Sequence, residues 1–410
     1  MNDRSLNNHP KILALLPGFI PSTLMDVVAP LLKLEKSGYV NFNITLEFYA
    51  QPRTFKNKDL IIFCRNTDPR YKRLWDYVVE QHIPYIYDLD DDFYAMSQDN
   101  PLGSYHSMPT NLNMLTQYLQ HAALVRVYSI SLLERLARMG IAAELVTPPL
   151  NWDLIYPRKK TTLEGPVRIV YATSRKQDTL SDLFAEALHR LLRTHSGKVE
   201  IHFWGFCPET FQKIPGVVVH PFNSNYADYL RAFSSCEYDI GLAPMLDDEF
   251  HRGKTNAKYR EYGACEIAGI YSRVPLYATC VQEGETGILV DNTPDDWYTA
   301  LVRLVEDNYL CRQIGQAARN DNWRLHAPDR FEQVWMAQIT QALSPKLEIC
   351  RCYNQPLPEK TRSRVSWQNQ RVVALIRRLK ETSPMEWFQN LRLQVRNLVM
   401  MAQIRWRKHI

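Results

Sequence analysis

The stretch Tyr238–Asn292, YDIGLAPMLDDEFHRGKTNAKYREYGACEIAGIYSRVPLYATCVQEGETGILVDN, decides how the rest of the chain is read. It opens with a short apolar strand, Asp239 to Pro244, followed by a polar, partly basic loop from Met245 to Gly253. The next segment reads as a helix carrying Lys254, Lys258 and Glu261. Beyond it, a second apolar run and a Gly284/Gly287 turn lead into Ile288-Leu289-Val290. Strand, loop, helix and strand in that order form one unit of a parallel α/β sheet, in which ligands bind outside the carboxyl ends of the strands. A loop leading into a helix N-terminus is a natural place for an anion. Two lysines and one carboxylate placed there suit a nucleotide diphosphate. Lys254 and Lys258 are four residues apart, which predicts a shared helix face. Like charges on one face repel unless an anion lies between them or carboxylates flank them.

Working outward, Val167 to Ala172, Val199 to Gly205 and Val217 to Pro221 read as further strands of the same half. A Pro-containing, charged linker from Asn151 to Pro166 precedes them. In the first half, Lys11 to Pro17, Asn43 to Tyr49, Asp59 to Cys64, Ile83 to Leu89, Leu124 to Tyr128 and Ala142 to Thr147 read as strands. Ser22 opens a helix that ends at Gly38, with Pro30 expected to kink it or delay its start. Tyr71 to Gln81 is helical in pattern, and Ser131-x-x-Glu134 predicts a capping box for the next helix. The alternation predicts an α/β protein of two Rossmann-like, doubly wound domains facing a cleft. The boundaries fall at 1–160 and 161–328, with a helix in 329–345 and a basic helical tail over 346–410.

At 410 residues the chain is comfortable for two domains, and 45% hydrophobic with 23% charged residues is ordinary for a soluble globular protein. Neither Gly-x-Gly-x-x-Gly nor Gly-x4-Gly-Lys-[Ser/Thr] occurs, so a dinucleotide-dependent Rossmann enzyme or a P-loop NTPase has no direct support. The start, MNDRSLNNHPK, lacks a signal-peptide core. No apolar run reaches the ~18 residues of a membrane span. The eight cysteines are scattered, mostly within or beside apolar runs, and read as buried free thiols of a reducing cytoplasm.

Charge is unevenly spread. From Arg351 to Ile410 there are 13 Lys/Arg and 3 Asp/Glu, a net +10 that leaves the first 350 residues at −5 against +5 for the whole chain. Trp367 to Lys380 and Met385 to Lys408 are helical in pattern. Phe388, Leu391, Val395, Leu398, Val399 and Ala402 share a face that arginines flank. Residues 367–408 thus read as an element that binds an anionic membrane surface, or as a helix that docks on the body or on another subunit. No nucleic-acid recognition motif accompanies the charge.

The block quoted above resembles the donor-binding block of GT-B glycosyltransferases of the retaining family 4 type. The residues that carry the resemblance are Ala243-Pro244, Lys258-Tyr-Arg-Glu261-Tyr262, Ala268-Gly269 and Gly284-Glu-Thr-Gly287-Ile-Leu-Val290, then Asp295-Asp296-Trp297 at the start of a helix. Weaker resemblance covers roughly residues 10 to 345. It implies transfer of a sugar from a nucleotide-diphosphate-sugar to a hydroxyl of a glycan, a lipid-linked glycan or a small metabolite. Retention of the anomeric centre, no cofactor and no essential metal are implied with it. The helix from Phe331 to Leu343 would cross back to the first half. In one position the chain departs from the family: Gly253 stands where a first glutamate precedes Glu261 by eight residues. That role is either lost or taken by Lys254, His251 or Glu249. A non-catalytic relative that binds glycan or nucleotide sugar within a glycan-assembly complex is the alternative, and an epimerase of the same fold a third.

The resemblance also assigns roles. Glu261 would accept hydrogen bonds from the ribose hydroxyls; otherwise it is a helix carboxylate paired with Lys254 or Lys258. Lys254 and Lys258 would stabilise the leaving diphosphate, and Arg175 or Lys176, after the first strand of the second half, would clamp it. Asp88-Leu89-Asp90-Asp91-Asp92 lies on the acceptor side. Asp90 and Asp91 are the candidates there for acceptor binding or catalytic support; a plain N-cap cluster or a metal site are the other readings. His106 and Gly18 complete the acceptor-side set. The implied setting is cytoplasmic, peripheral at the inner face of a membrane.

Overall fold

In the computed structural model, residues 9–96, 101–159, 165–173, 179–223, 225–344, 397 and 399–401 are described. The buried apolar runs form two parallel sheets. The first comprises β1 Lys11–Leu16, β2 Asn41–Leu46, β3 Leu60–Cys64, β4 Tyr85–Leu89, β5 Leu124–Val127 and β6 Glu144–Leu145, in the order β2-β1-β3-β4-β5-β6. The second comprises β7 Val167–Ala172, β8 Val199–Trp204, β9 Val217–His220, β10 Ile240–Ala243, β11 Ala268–Ser272 and β12 Ile288–Val290, in the order β12-β11-β10-β7-β8-β9. The central strands are buried along their whole length, as LIIFC at β3 shows. Such runs suit parallel sheets covered by helices on both faces. The strand order reverses between β1 and β3 and between β7 and β10, so each sheet opens a ligand crevice at those carboxyl ends.

Several local expectations are corrected. The first helix, already helical at Pro21 and Ser22, widens into a π-helical turn over Thr23–Val28 and is α-helical over Ala29–Lys36. The wide turn accommodates Pro30, which cannot donate to the ladder of an ordinary α-helix. The helix Ile130–Arg138 is capped by Ser129, whose Oγ accepts from the Leu132 amide at 3.2 Å. Ser131 lies inside its first turn, because β5 ends at Val127 and Ser129 holds the extended backbone a cap requires.

The helix Ala257–Ala264 does not include Lys254, which sits in the turn after the short helix Glu249–Arg252. Gly253, Thr255 and Asn256 favour a break there. Lys254 and Lys258 therefore do not share a helix face.

The last long helix, Pro328–Leu343, returns to the first sheet. Its Phe331, Trp335, Ile339 and Ala342 pack with Ile12, Leu31, Ile62 and Tyr128. Trp335 Nε1 donates to the Asp26 carbonyl at 3.0 Å, and the same ring lies 3.5 Å from the guanidinium carbon of Arg126. Of the tail, Asn397 and Val399–Met401 are described; Met400 and Met401 pack against this same face of the first domain. The rest of the segment assigned to a membrane surface lies outside the described residues. Among the described residues no helix is long and apolar enough to cross a membrane. Trp335→Ala, which removes both contacts and leaves a large void, is expected to lower stability by about 3–5 kcal/mol, read as an earlier midpoint in denaturant unfolding.

Candidate active site

The site forms where the carboxyl ends of both sheets face each other. On the first domain, the chain leaving β3 turns at Arg65, which adopts a left-handed φ of 60°. Its guanidinium forks between two carboxylates, Nη1 3.2 Å from Asp90 Oδ2 and Nη2 2.9 Å from Asp91 Oδ2. Arg65 also lies 5.0 Å from the centre of the Phe93 ring. Against the same ring stacks His106, at 4.2 Å, with Nδ1 3.5 Å from Thr67 Oγ1. Burial, reinforced by Arg65, pushes the His106 imidazole down to about 4, so it is neutral at pH 7.

The five-residue acidic run does not act as one group. Asp88 points into the core, where its Oδ1 accepts from the Tyr128 hydroxyl at 2.7 Å. Asp92 caps the 3-10 turn Phe93–Ala95 through the Tyr94 amide and accepts from Arg135 Nε at 2.6 Å. The N-cap reading thus holds for Asp92. Asp90 and Asp91 face the crevice with opposite tendencies. Burial pushes the Asp90 carboxyl up; Arg65 opposes this and Asp91 adds to it. Burial also acts on Asp91, but Lys254 and Arg65 outweigh it and hold that carboxyl below its usual range. Adjacent carboxyls driven apart in this way are suited to separate acid–base roles. Asp90 Oδ1 is buried without a hydrogen-bond partner. Among the described residues no group of three or more His, Cys, Asp or Glu is arranged to hold a metal.

From the second domain, Lys254 crosses to the first and places Nζ 3.2 Å from Asp91 Oδ1. Gly253 beside it is buried against β4's end: a Cβ there would lie 2.6 Å from the Asp92 Cβ. Its carbonyl accepts from Ser129 Oγ at 3.1 Å. A glutamate at 253 has no room in this arrangement. Of the possible substitutes, Glu249 pairs with Arg135 and His251 with Asp248. Deeper in the second domain, Glu261 is 6% exposed. Its Oε2 is 2.8 Å from Lys258 Nζ and its Oε1 accepts from the Tyr226 hydroxyl at 3.1 Å.

The structure therefore brings Asp90, Asp91 and Lys254 together, with His106 nearby across Phe93, and joins Lys258 to Glu261. Arg175 and Lys176 lie outside the described residues. A Cβ at Gly18 would meet nothing within 4 Å, so packing does not require glycine there. Sequence reasoning missed Arg65, Ser129, Arg135 and Tyr226. Arg65 carried one signal, a basic residue placed directly after a fully buried strand.

No family model matches the chain, and no curated protein matches its sequence. Solved structures do resemble it. Sucrose-phosphate synthase from Thermosynechococcus elongatus is 13% identical, with a TM-score of 0.59 over 81% of this chain and 99% of that one. HepE from Anabaena, in complex with UDP and glucose, is 13% identical, with a TM-score of 0.59 over 81% and 100%. A glycosyltransferase from Rickettsia africae is 12% identical, with a TM-score of 0.58 over 83% and 100%. The chain has the GT-B fold that these proteins share, two Rossmann-like domains around a cleft.

Two outcomes test the site's packing and electrostatics. Gly253→Ala is expected to destabilise the protein by about 1–3 kcal/mol, because neither Asp92 nor the 253 backbone has space to yield; thermal melting reads it. Glu47, beside the site, is buried and accepts from Asn66 Nδ2 at 2.8 Å. Burial pushes its carboxyl up to about 8 from 4.5, with Asp68 adding and Asn66 and Arg70 opposing. The folded state then binds a proton that the unfolded chain releases. The stability this gives is full below about pH 4.5 and is lost as pH rises through about 8. Relative to the native protein, Glu47→Gln should gain on the order of a few kcal/mol across that window, measured by denaturation at pH 5 and pH 8.

Proposed function

We propose that the protein is a glycosyltransferase that moves a sugar from a nucleotide-diphosphate-sugar to a hydroxyl, with retention and without an essential metal. The observation that carries this reading is the convergence, at the mouths of two parallel sheets, of Lys254 with the Asp90–Asp91 pair, beside the Lys258–Glu261 pair. The fold supports it, as does HepE, whose structure holds UDP and glucose in the same architecture.

In this reading the second domain holds the donor. Glu261 faces the ribose hydroxyls, where a planar carboxylate accepts from two adjacent groups. Lys254 and Lys258 neutralise the diphosphate as the glycosidic bond breaks, favouring the transition state over the ground state. Arg175 and Lys176, which follow β7 in the sequence, add to that clamp. The first domain holds the acceptor: Asp90 and Asp91 orient and support its hydroxyl, with His106 and the Gly18 loop flanking it. Acceptors of this class are glycans, lipid-linked glycans or small metabolites, and the basic tail favours one near a membrane at its cytoplasmic face. Catalysis then needs no cofactor besides the donor.

The second reading is a non-catalytic GT-B module that binds glycan or nucleotide sugar in an assembly complex. The specific observation favouring it is Gly253, which offers no carboxylate and leaves no space for one. A thermal-shift screen with the diphosphates of uridine, guanosine, adenosine, thymidine and cytidine tests the donor site that the transferase reading requires, and product formation with an added acceptor separates it from a module that only binds. Donor binding predicts stabilisation by one base, ~2.7 kcal/mol at a hundredfold excess over Kd, lost in Glu261→Ala. No stabilisation by any base would sink the transferase reading. With the matching nucleotide sugar, product analysis then distinguishes transfer to an added acceptor from epimerisation of the donor alone.

A further inference from the structure

We propose that Asp91 gates the donor site: it holds the Lys254 ammonium between turnovers, and a nucleoside diphosphate has to displace it to bind. This rests on the donor-site reading above and adds a competitor built into the opposite domain.

Three contacts bring the Asp248–Lys254 segment against the residues that follow β4 and β5. Lys254 Nζ meets Asp91 Oδ1 at 3.2 Å, with only 20% and 19% of the two side chains exposed. Ser129 Oγ donates to the Gly253 carbonyl at 3.1 Å. Arg135 bridges the two domains by donating to two carboxylates: Nε lies 2.6 Å from Asp92 Oδ2, and Nη2 pairs with Glu249. With the Gly253 backbone pressed on Asp92, this is a closed arrangement in which the lysine has already found an anion.

The pairing is asymmetric, which is what makes exchange possible. Lys254 has one carboxylate, with the Phe250 ring 4.0 Å from its ammonium as the other neighbour. Asp91 has two cations, since Arg65 Nη2 lies 2.9 Å from its second oxygen. When a phosphate takes Lys254, Asp91 stays paired with Arg65 and no carboxylate is stranded in a half-buried site, where an unpaired charge is costly. A diphosphate brings more than one negative charge to the contest and wins when present. Once the product diphosphate loosens, Asp91 is beside the lysine to reclaim it. A ligand whose binding-competent state is only partly populated binds more weakly by that fraction, so the gate weakens apparent affinity and speeds product release.

The test is calorimetric titration of the full chain with the five common nucleoside diphosphates, comparing the native protein with Asp91→Asn and Glu249→Gln. Asp91→Asn keeps the shape and removes the competing charge; it should bind the recognised diphosphate about tenfold more tightly, within the usual range for coupled sites. Glu249→Gln opens the outer clasp while leaving Asp91, Lys254 and Glu261 intact, and should tighten binding about twofold to threefold on the same principle. If the native protein binds a diphosphate and both folded variants bind it equally or more weakly, the gate is overturned while the donor site stands. If Asp91→Asn does not fold, Glu249→Gln alone decides in the same sense. If neither native nor variant protein binds any of the five, the donor-site reading falls and the gate falls with it.

Discussion

Arg126 is the constraint on which the first domain is built. None of its surface is exposed, and its three guanidinium nitrogens have no hydrogen-bond partner in the structure. A cation so placed costs several kcal/mol unless something compensates it. Two neighbours do. Asp88, its cross-strand partner from β4 to β5, brings Oδ1 to 3.4 Å from Nε. Trp335, arriving from the helix that crosses back, covers the guanidinium with its ring, and a desolvated cation over an indole face is among the stronger contacts of its kind. The arrangement fixes β4 at Asp88, two residues before Asp90. Burial, reinforced by Asp88 and Asp90, pushes the neighbouring Asp26 carboxyl well up, with Arg260 and Arg126 opposing.

The cleft repeats this logic with less burial. Arg65 and Lys254 bracket Asp91 from two domains, Arg65 also pairs with Asp90, and Arg135 ties Asp92 to Glu249. Each aspartate of the run therefore meets a different set of partners, Asp90 and Asp91 sharing Arg65. The partners differ, which lets Asp90 and Asp91 diverge in proton affinity although they are neighbours in sequence. A run of identical side chains has become four distinct sites because β4 ends within it and successive residues turn to different walls.

Much of the fold was legible because period and burial are local. LIIFC and IGLA are continuous apolar runs, and YIYDL is one broken only by Asp88, as suits covered parallel strands; their alternation with helical patterns gives the two sheets. What was misread depended on three-dimensional partners. Lys254 was assigned to a helix face because the spacing to Lys258 permits it; the chain instead breaks at Gly253, where β4's end leaves no room for a side chain. Ser131 satisfied the capping pattern, yet Ser129 holds the extended backbone and the bond to Leu132. Glu261 and Lys258 were legible as a pair, whereas Tyr226, 35 residues away on another helix, was not. Arg65 and Arg135 reach their aspartates from β3's end and from the helix after β5, separations of 26 and 43 residues that no local pattern encodes.

The crossing helix has a consequence for how the chain matures. Residues that close the second domain, from Leu150 to His326, are contiguous in sequence. The first domain is not: the face containing Ile12, Leu31 and Tyr128 is covered by Phe331, Trp335 and Ile339, and then by Met400 and Met401. Synthesis proceeds from the N-terminus, and domains generally fold as units when their residues are available. Here the domain made first is finished last. Until Trp335 has emerged from the ribosome, an apolar wall and a buried-type arginine are open to water and to other chains. A nascent chain paused between the two domains thus leaves that wall uncovered.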